Sequence, residues 1–487
     1  MKIALITIDT GVPRTLATTA FVLAFADGLT RLGVPVRVVG LVQREDGWQP
    51  EALSPVEAVT PWLSPHPPRL GDVLEAARNG ILDNASVGPG AFKGAAPDWY
   101  LESLLQRELD EFARGESLAL VVYPIYYPVL RAAVRVAGRR AWKLIVQSCE
   151  AMSGSWIDPA TRNDYIKMVG AEADGVWALS TYLAEYWISQ GVAPERTIVQ
   201  PSIVRADAFR SDPLPQTHTA VYLGNLQHRE IEYLLEIATT VQSRLPGFHL
   251  TVYGDATDER RAEIAAIVEE RGLARTVAIE RSVRPAEVPQ VLSGADLLLL
   301  PRASGEFSTA GFPNKLGEYL ASGRPVVATR VGDIPTYLVD GESAYLVEPD
   351  DCEAFAEAVV RALEDPRTAT RIGQAGRRVA SDLLASPTAA RRIVDFITVL
   401  PAPDYPRVKP HMLVRRLWPA AVAVGSLASA RIWPTLSALR SSASGVGRSL
   451  SHRARYTKAG HTRLMAAKIL AVRVLRFLHL KPPAPEA

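Results

Sequence analysis

Residues 297–347 constrain the fold of this chain most strongly, because strand, loop and helix patterns follow one another there at short spacing. Residues 297–300 form an unbroken apolar run, which is typical of a parallel strand covered on both faces. A polar, glycine-bearing loop is predicted over 302–313 and a helix over 314–321. The helix is predicted to stop at the Ser-Gly-Arg-Pro sequence of 322–325, and the next strand at 325–329. The pattern indicates an open parallel sheet with helices between its strands.

The start of this helix is predicted to bind an anion. In an open parallel sheet, ligands bind where a loop leaves the carboxyl end of a strand and leads into a helix. The unpaired N–H groups near Asn314 and the positive end of the helix dipole favour an anion, most often a phosphate. Lys315 would add a mobile positive charge at the same place. We therefore place the candidate chemistry at Asn314 and Lys315.

The sequence PNKLGEYLASGRPVVATRVGDIPTYLVDGESAYLVEPDD at 313–351 resembles the nucleotide-sugar-binding segment of retaining GT-B glycosyltransferases, specifically glycosyltransferase family 4 (glycosyl transferases group 1). The resemblance implies that Glu318 holds the ribose hydroxyls of the donor nucleotide. The family's usual second glutamate, eight residues earlier, touches the donor sugar, but that position is Ala310 here. Glu306, twelve residues before Glu318, could take this role in a loop of different shape. The identity of the sugar stays open.

Length and composition bound the class of protein. A chain of 487 residues is too long for one core and predicts two domains plus an extension, and 48% hydrophobic with 22% charged residues is typical of a soluble globular protein. Cys149 and Cys352 give neither a disulfide framework nor metal-ligand spacing, which favours a reducing compartment. The polar residues after the first strand argue against a secretory signal. We expect a cytoplasmic protein without a metal site.

The amino-terminal half is predicted to be a parallel α/β unit. Its predicted elements are strands at 2–8, 34–39, 118–123, 143–147 and 175–180 and helices at 15–32, 129–139 and 181–190. Gly11 stands alone without a G-x-G-x-x-G fingerprint, so a nicotinamide or flavin site is not indicated. The resemblance implies that Gly11 faces the donor phosphates, and a plain turn glycine is the alternative. Glu150 is either an acceptor contact or a loop carboxylate without a role.

The carboxyl-terminal half is predicted to begin with a strand at 220–226 that contains Gly224. The resemblance implies a glycine here and, a few residues later, a basic side chain that neutralises the donor diphosphate. Arg229 matches best and His228 is the less favoured neighbour; a surface arginine at a helix start is the alternative. Because GT-B enzymes of this kind use no metal for the diphosphate, an arginine fork suits this role. The resemblance also places the loop at Ser282 against the nucleotide base.

The carboxyl-terminal tail has its own charge character. Residues 405–485 hold fifteen Lys and Arg and no Asp or Glu, so the preceding 404 residues carry 39 basic against 51 acidic side chains, a net charge of −12. Residues 463–481 have the pattern of a basic amphipathic helix, which binds anionic membrane surfaces. A disordered tail and nucleic-acid binding are the alternatives, and the scarcity of aromatic residues argues against base stacking. We expect an anionic membrane partner through 405–487 and no nucleic acid.

These observations predict an α/β protein of GT-B fold, with two Rossmann-like domains facing across a cleft and a basic helical C-terminal extension. The predicted boundaries are an acceptor domain at 1–205, a linker at 206–219, a nucleotide-sugar domain at 220–400 and the extension at 401–487. The predicted reaction is metal-independent glycosyl transfer, with retention, from a nucleotide diphospho-sugar to a saccharide or lipid-linked acceptor.

The resemblance implies that no protein nucleophile or cofactor is required in this reaction, because the leaving phosphate takes the acceptor's proton. Arg229 and Lys315 would stabilise the charge that develops on that phosphate. Two alternatives stay open from the sequence: a nucleotide-sugar epimerase of the same architecture, and a non-catalytic membrane-associated scaffold, which Ala310 would permit.

Overall fold

The computed structural model describes residues 1–7, 16–40, 42–43, 57–59, 62–63, 98–123, 127–151, 159–226, 230–284 and 286–403. Gly11, His228, Arg229 and the basic tail from 405 onward lie outside the described residues, so the hypotheses about them stay predictions.

Fifteen strands are assigned in the described residues. They are β1 (Lys2–Thr7), β2 (Val36–Gly40), β3 (Val42–Gln43), β4 (Glu57–Val59), β5 (Trp62–Leu63), β6 (Leu118–Val122), β7 (Lys143–Ser148), β8 (Gly175–Ala178), β9 (Thr197–Val199), β10 (Thr219–Leu223), β11 (His249–Tyr253), β12 (Val277–Glu280), β13 (Leu297–Leu300), β14 (Val326–Thr329) and β15 (Tyr345–Val347).

The helices of the described residues alternate with these strands. They are α1 (Leu16–Arg31), α2 (Asp98–Ala113), α3 (Tyr127–Arg140), α4 (Pro159–Glu172), α5 (Thr181–Ser189), α6 (Glu230–Arg244), α7 (Asp258–Glu270), α8 (Val288–Ser293), α9 (Glu306–Ala310), α10 (Asn314–Ala321), α11 (Ile334–Tyr337), α12 (Cys352–Glu364), α13 (Pro366–Val379) and α14 (Ser386–Val399). Short 3-10 turns lie at Pro194–Arg196 and Ala206–Ala208, and a π-helical segment, Ala380–Leu384, joins α13 to α14.

Two parallel sheets organise the two halves of the chain. The first has the order β4, β2, β1, β6, β7, β8, β9 and the second the order β12, β11, β10, β13, β14, β15. In the second sheet the chain runs from β10 outward to β11 and β12. It then returns to β13, which pairs with the opposite side of β10, with Ala220 opposite Leu297. That arrangement is a Rossmann switch point, where a crevice opens at the carboxyl ends of the strands. The predicted two-domain α/β architecture is confirmed.

The organising stretch folds as predicted from β13 to β14. Leu297, Leu298, Leu299 and Leu300 are fully buried, as the unbroken apolar run requires. Helix α10 ends before Gly323, whose φ of 74° lies in the left-handed region that favours glycine. The interval predicted as loop differs, because it contains α9, in which the Thr309 N–H donates to the Gly305 carbonyl at 3.0 Å. This short helix was missed because its five residues show no apolar periodicity.

The last described helix returns to the first half. The Ser386 hydroxyl donates to Asp27 Oδ2 at 2.7 Å, so the start of α14 is fixed to α1. At its other end, the Lys143 ammonium donates to the carbonyls of Ile397 at 2.7 Å and Leu400 at 2.6 Å. Apolar side chains of α1 and α14, including Phe25 and Ile393, share one buried cluster. These contacts tie the two halves together beside the crevice.

Candidate functional site

A cavity of about 590 Å³ lies between the two halves. Its first-half wall includes Tyr123, Cys149 and Glu150, which follow the carboxyl ends of β6 and β7. Its second-half wall includes five of the residues predicted from sequence: Gly224, Ser282, Asn314, Lys315 and Glu318. Because parallel strands end at the same edge of a sheet, the loops that follow them meet here. A cavity of this size can hold a small ligand.

The start of α10 opens into this cavity. Pro313 precedes the helix and provides no side-chain cap. Its carbonyl accepts from the Leu316 N–H at 3.0 Å, and the N–H groups of Asn314 and Lys315 have no capping side chain. Asn314 Oδ1 is buried and has no hydrogen-bond partner among the described residues. The helix is fixed from behind, since the Leu223 N–H at the end of β10 donates to the Tyr319 hydroxyl at 2.7 Å. The start of α10 is therefore held in place and faces the cavity.

Lys315 is held over Tyr222 on the cavity wall. Its ammonium donates to the Tyr222 hydroxyl at 3.0 Å, lies 4.3 Å from the ring centroid, and is 3.8 Å from Glu230 Oε2. The Tyr222 hydroxyl in turn donates to Glu230. Burial lowers the pKa of Lys315 to about 8, Glu230 opposes this shift and the charge of Arg302 reinforces it. Because the ion pair is long, Lys315 has N–H capacity left for an anion.

Glu318 lies one turn after Lys315 and is half-buried in the same wall. Burial raises the pKa of the Glu318 carboxyl to about 7, and the charges of Lys315 and Arg205 only partly offset that shift. A carboxylate without tight ion pairing can accept two hydrogen bonds from neighbouring hydroxyls. The arrangement therefore places an anion-binding group and a hydroxyl-binding group one helical turn apart.

Gly224 and Ser282 follow β10 and β12, the two strands on either side of β11 in the second sheet. The Gly224 N–H donates to the Tyr253 carbonyl at 2.9 Å, and a Cβ at this position would overlap the Tyr222 ring. Glycine is therefore required for the close approach that keeps Tyr222 beneath Lys315. Ser282 follows β12 and lines the cavity beside Val283.

The structure places Glu306 away from the cavity lining. The Tyr182 hydroxyl on α5 donates to Glu306 Oε1 at 2.7 Å, so this exposed carboxylate connects the two halves. Ala310 is fully buried, and its carbonyl accepts a hydrogen bond from the Ser180 hydroxyl at 2.6 Å. In this conformation of the loop, neither position 306 nor position 310 presents a carboxylate to the cavity.

Sequence reasoning missed Tyr222, Glu230 and Arg302. Tyr222 and Glu230 lie in predicted elements whose patterns give no sign of contact with Lys315, more than eighty residues later. Arg302 was placed in the predicted ligand loop without a role. Its position directly after a buried strand at the switch point was the signal that could have identified it.

Within the described ranges, no group of three side chains has the composition and geometry of a metal site. Among those same residues, no helix is both long and apolar enough to cross a membrane.

Comparison with solved structures defines the class of fold. The Anabaena protein HepE in complex with UDP has a TM-score of 0.59 at 15% identity, with 82% of this chain and 100% of that chain covered. Sucrose-phosphate synthase from Thermosynechococcus elongatus has a TM-score of 0.58 at 17% identity over 82% of this chain and 98% of that one. The fold is that of GT-B glycosyltransferases.

Sequence comparison then identifies the kind of enzyme. Residues 217–365 match the family described as glycosyl transferases group 1. A GDP-mannose-dependent alpha-(1-6)-phosphatidylinositol monomannoside mannosyltransferase of Mycolicibacterium smegmatis is 26% identical over 54% of this chain and 72% of its own length. A D-inositol 3-phosphate glycosyltransferase of Corynebacterium urealyticum is 29% identical over 30% of this chain. That match covers only 34% of the relative's own length. The chain is a glycosyltransferase, and the matches do not favour the epimerase or scaffold alternatives.

Proposed function

We propose that this enzyme transfers a sugar, with retention of anomeric configuration, from a nucleotide diphospho-sugar to a saccharide or lipid-linked acceptor, as in glycosyltransferase family 4. The observation that carries the proposal is the uncapped start of α10, which faces the cavity between the halves with Lys315 beside it. The relatives support the donor class, since one is GDP-mannose-dependent and HepE is in complex with UDP.

The donor diphosphate occupies the start of α10 in this proposal. The N–H groups at Asn314 and Lys315 and the Lys315 ammonium stabilise its charge, together with Arg229, which lies outside the described residues. Glu318 accepts hydrogen bonds from the ribose hydroxyls, and the loop at Ser282 contacts the base. The predicted donor sugar contact of Glu306 receives no support from its position at Tyr182.

The acceptor enters from the first half, where Glu150 lines the cavity. The bond from the sugar to the leaving phosphate breaks as the bond to the acceptor oxygen forms, and the acceptor's proton passes to that phosphate. The protein therefore acts by positioning and charge stabilisation, without a metal or a cofactor. The reaction is proposed to take place in the cytoplasm.

A panel of UDP- and GDP-sugars tests the donor class. We expect at least one of them to raise the melting temperature, because a ligand at a hundred times its Kd stabilises the folded state by about 2.7 kcal/mol. The same compound should donate its sugar to an acceptor glycan or glycolipid. A chain that is not stabilised by any nucleotide sugar and transfers none would contradict the proposal.

The basic extension is proposed to bind the inner membrane face. Removal of residues 405–487, which contain fifteen Lys and Arg, should abolish sedimentation with vesicles of anionic phospholipid. Donor-nucleotide binding by the same truncated protein should stay within about twofold, since the described residues that line the cavity precede the deletion. Truncated protein that still sediments with the vesicles would place the membrane contact elsewhere.

A further inference from the structure

Arg302 is a buried cation that forms no ion pair with a carboxylate of the described residues. Its side chain is 7% exposed and lines the cavity directly after β13. Its backbone is held firmly, because the Arg302 N–H donates to Thr329 Oγ1 at 3.0 Å and the Thr329 hydroxyl donates back to the Arg302 carbonyl at 2.9 Å. Its guanidinium makes a long hydrogen bond to the Phe307 carbonyl at 3.4 Å and lies 5.6 Å from the centroid of the Phe307 ring, and Nε has no hydrogen-bond partner among the described residues.

Arg324, in the same half, is a buried arginine with more hydrogen bonds. It is 1% exposed, and its two terminal nitrogens donate to the carbonyls of Pro213 and Ser293, although its Nε, like that of Arg302, has no partner among the described residues. Burial of a charge is costly unless hydrogen bonds and charges compensate it. The Arg302 guanidinium has one weak acceptor where that of Arg324 has two, and it faces a cavity. The difference points to a ligand as the missing partner.

The charges around Arg302 indicate that this ligand is anionic. Arg302 and Lys315 are close enough for the charge of one to lower the pKa of the other. Glu230 is the carboxylate whose charge acts on both cations, and it is already engaged with the Tyr222 hydroxyl and Lys315. Lys315 is near Glu318 as well, whereas Arg302 depends on Glu230 alone among the described carboxylates. A phosphate group would supply the missing negative charge and would accept two parallel hydrogen bonds from a guanidinium.

The position of Arg302 selects which phosphate it meets. A Cβ placed on Gly311 would lie 3.8 Å from Arg302 Nη2 and 3.9 Å from the Cys149 carbonyl of the first half. Arg302 is therefore at the junction of the two halves. Lys315 lies near both Glu318 and Arg302, since the charges of both act on the pKa of Lys315. A donor whose ribose binds at Glu318 would place its phosphates at Lys315 and then at Arg302, with the sugar-bearing phosphate last.

We propose that Arg302 is a catalytic residue that binds the sugar-bearing phosphate of the donor, the phosphate that leaves in the transfer; this inference rests on the proposed function. The guanidinium donates two hydrogen bonds to that phosphate and keeps its own protons throughout. Lys315 and the start of α10 hold the same diphosphate from the other side. Their charges together neutralise the nucleoside diphosphate as the bond to the sugar breaks.

The test compares nucleoside diphosphate with monophosphate, using UDP and UMP or GDP and GMP according to the donor. Calorimetry is expected to show that the full-length wild-type protein binds the diphosphate more than about tenfold more tightly than the monophosphate; this ratio is the diphosphate preference. In Arg302→Gln this preference should fall by about ten- to a hundredfold, the range for a lost charged hydrogen bond, while monophosphate affinity changes less than about twofold. Arg302→Lys should keep part of the preference, because it keeps the charge but not the fork.

Arg324→Gln is the matched control. It removes a buried guanidinium that has two backbone acceptors, so it should lower the melting temperature and leave the diphosphate preference of the folded protein unchanged. Arg302→Gln should melt no lower than wild type, since it removes an uncompensated buried charge. An unchanged preference in Arg302→Gln, or equal loss for both nucleotides, would overturn the inference. A wild-type protein without a diphosphate preference would instead overturn the proposed function, and with it this assignment.

Discussion

Replacement of Lys315 by alanine is expected to lower kcat/KM at least about a hundredfold, the effect of losing a donor that stabilises developing negative charge. The ammonium is held at 3.0 Å from the Tyr222 hydroxyl on the cavity wall, beside the start of α10. Steady-state kinetics with the donor selected by the nucleotide-sugar panel measure the change. Arg229→Ala is expected to have a comparable effect.

Lys167→Ala is a suitable control for Lys315→Ala, because Lys167 is an exposed lysine on α4, outside the cavity lining. Lys315→Arg adds a second test. Since the pKa of Lys315 is lowered to about 8, wild-type kcat/KM should fall as the pH rises through that value, whereas the arginine variant should keep its charge and lose this fall. Near-normal turnover in Lys315→Ala would remove the residue from the mechanism.

Glu318→Gln is expected to lower kcat/KM by about ten- to a hundredfold at pH 8, because a charged acceptor for the ribose hydroxyls is lost. The pKa of Glu318 is raised to about 7, so its carboxyl is ionised at pH 8 and mostly protonated at pH 6. Wild-type kcat/KM should therefore fall as the pH decreases through 7, and the glutamine variant should lack that fall. A donor with 2′-deoxyribose should give a lower kcat/KM than the ribose donor with wild type. With Glu318→Gln the two donors should differ little, since both changes remove the same contact.

Stability provides an independent check on Glu318→Gln. A carboxyl whose folded-state pKa is raised destabilises the folded protein once it ionises. The difference in free energy of unfolding between variant and wild type therefore develops as the pH rises from the unfolded-state pKa toward 7. The variant should exceed wild type in free energy of unfolding by on the order of 2 kcal/mol at pH 8 and match it at pH 4. If the variant is less stable at pH 8, or if the deoxy donor weakens it as much as wild type, Glu318 has a structural role instead.

The sequence predicted the parallel strands and the helix starts because their signals are local. The apolar run at 297–300 and the glycine at 323 determine the bounds of β13 and the end of α10 without reference to the rest of the chain. The two-half architecture follows from repetition of such units. Helix α4 was not predicted, because its mixed polar composition gives a weak apolar periodicity. Helix α2 was also missed, although Leu101, Leu105 and Leu109 recur at helical spacing and are buried.

The contacts that tune the site could not be predicted from sequence. Tyr222 and Glu230 belong to different elements, and only the order of the strands brings β10 beside β13 and places both residues against Lys315. Glu306 was a candidate on spacing alone, and the formation of α9 directs it to Tyr182 instead. Burial, which sets the pKa values of Lys315 and Glu318, is likewise a property of the packed halves.

The central claim is that the start of α10 binds the donor diphosphate. A crystal structure of the protein with UDP or GDP, whichever the enzyme binds, tests it most directly. We expect phosphate oxygens within hydrogen-bonding distance, about 2.7–3.2 Å, of the Lys315 backbone N–H and ammonium, with the ribose hydroxyls at Glu318. A diphosphate bound elsewhere in the cleft, with the start of α10 covered by protein, would contradict the account.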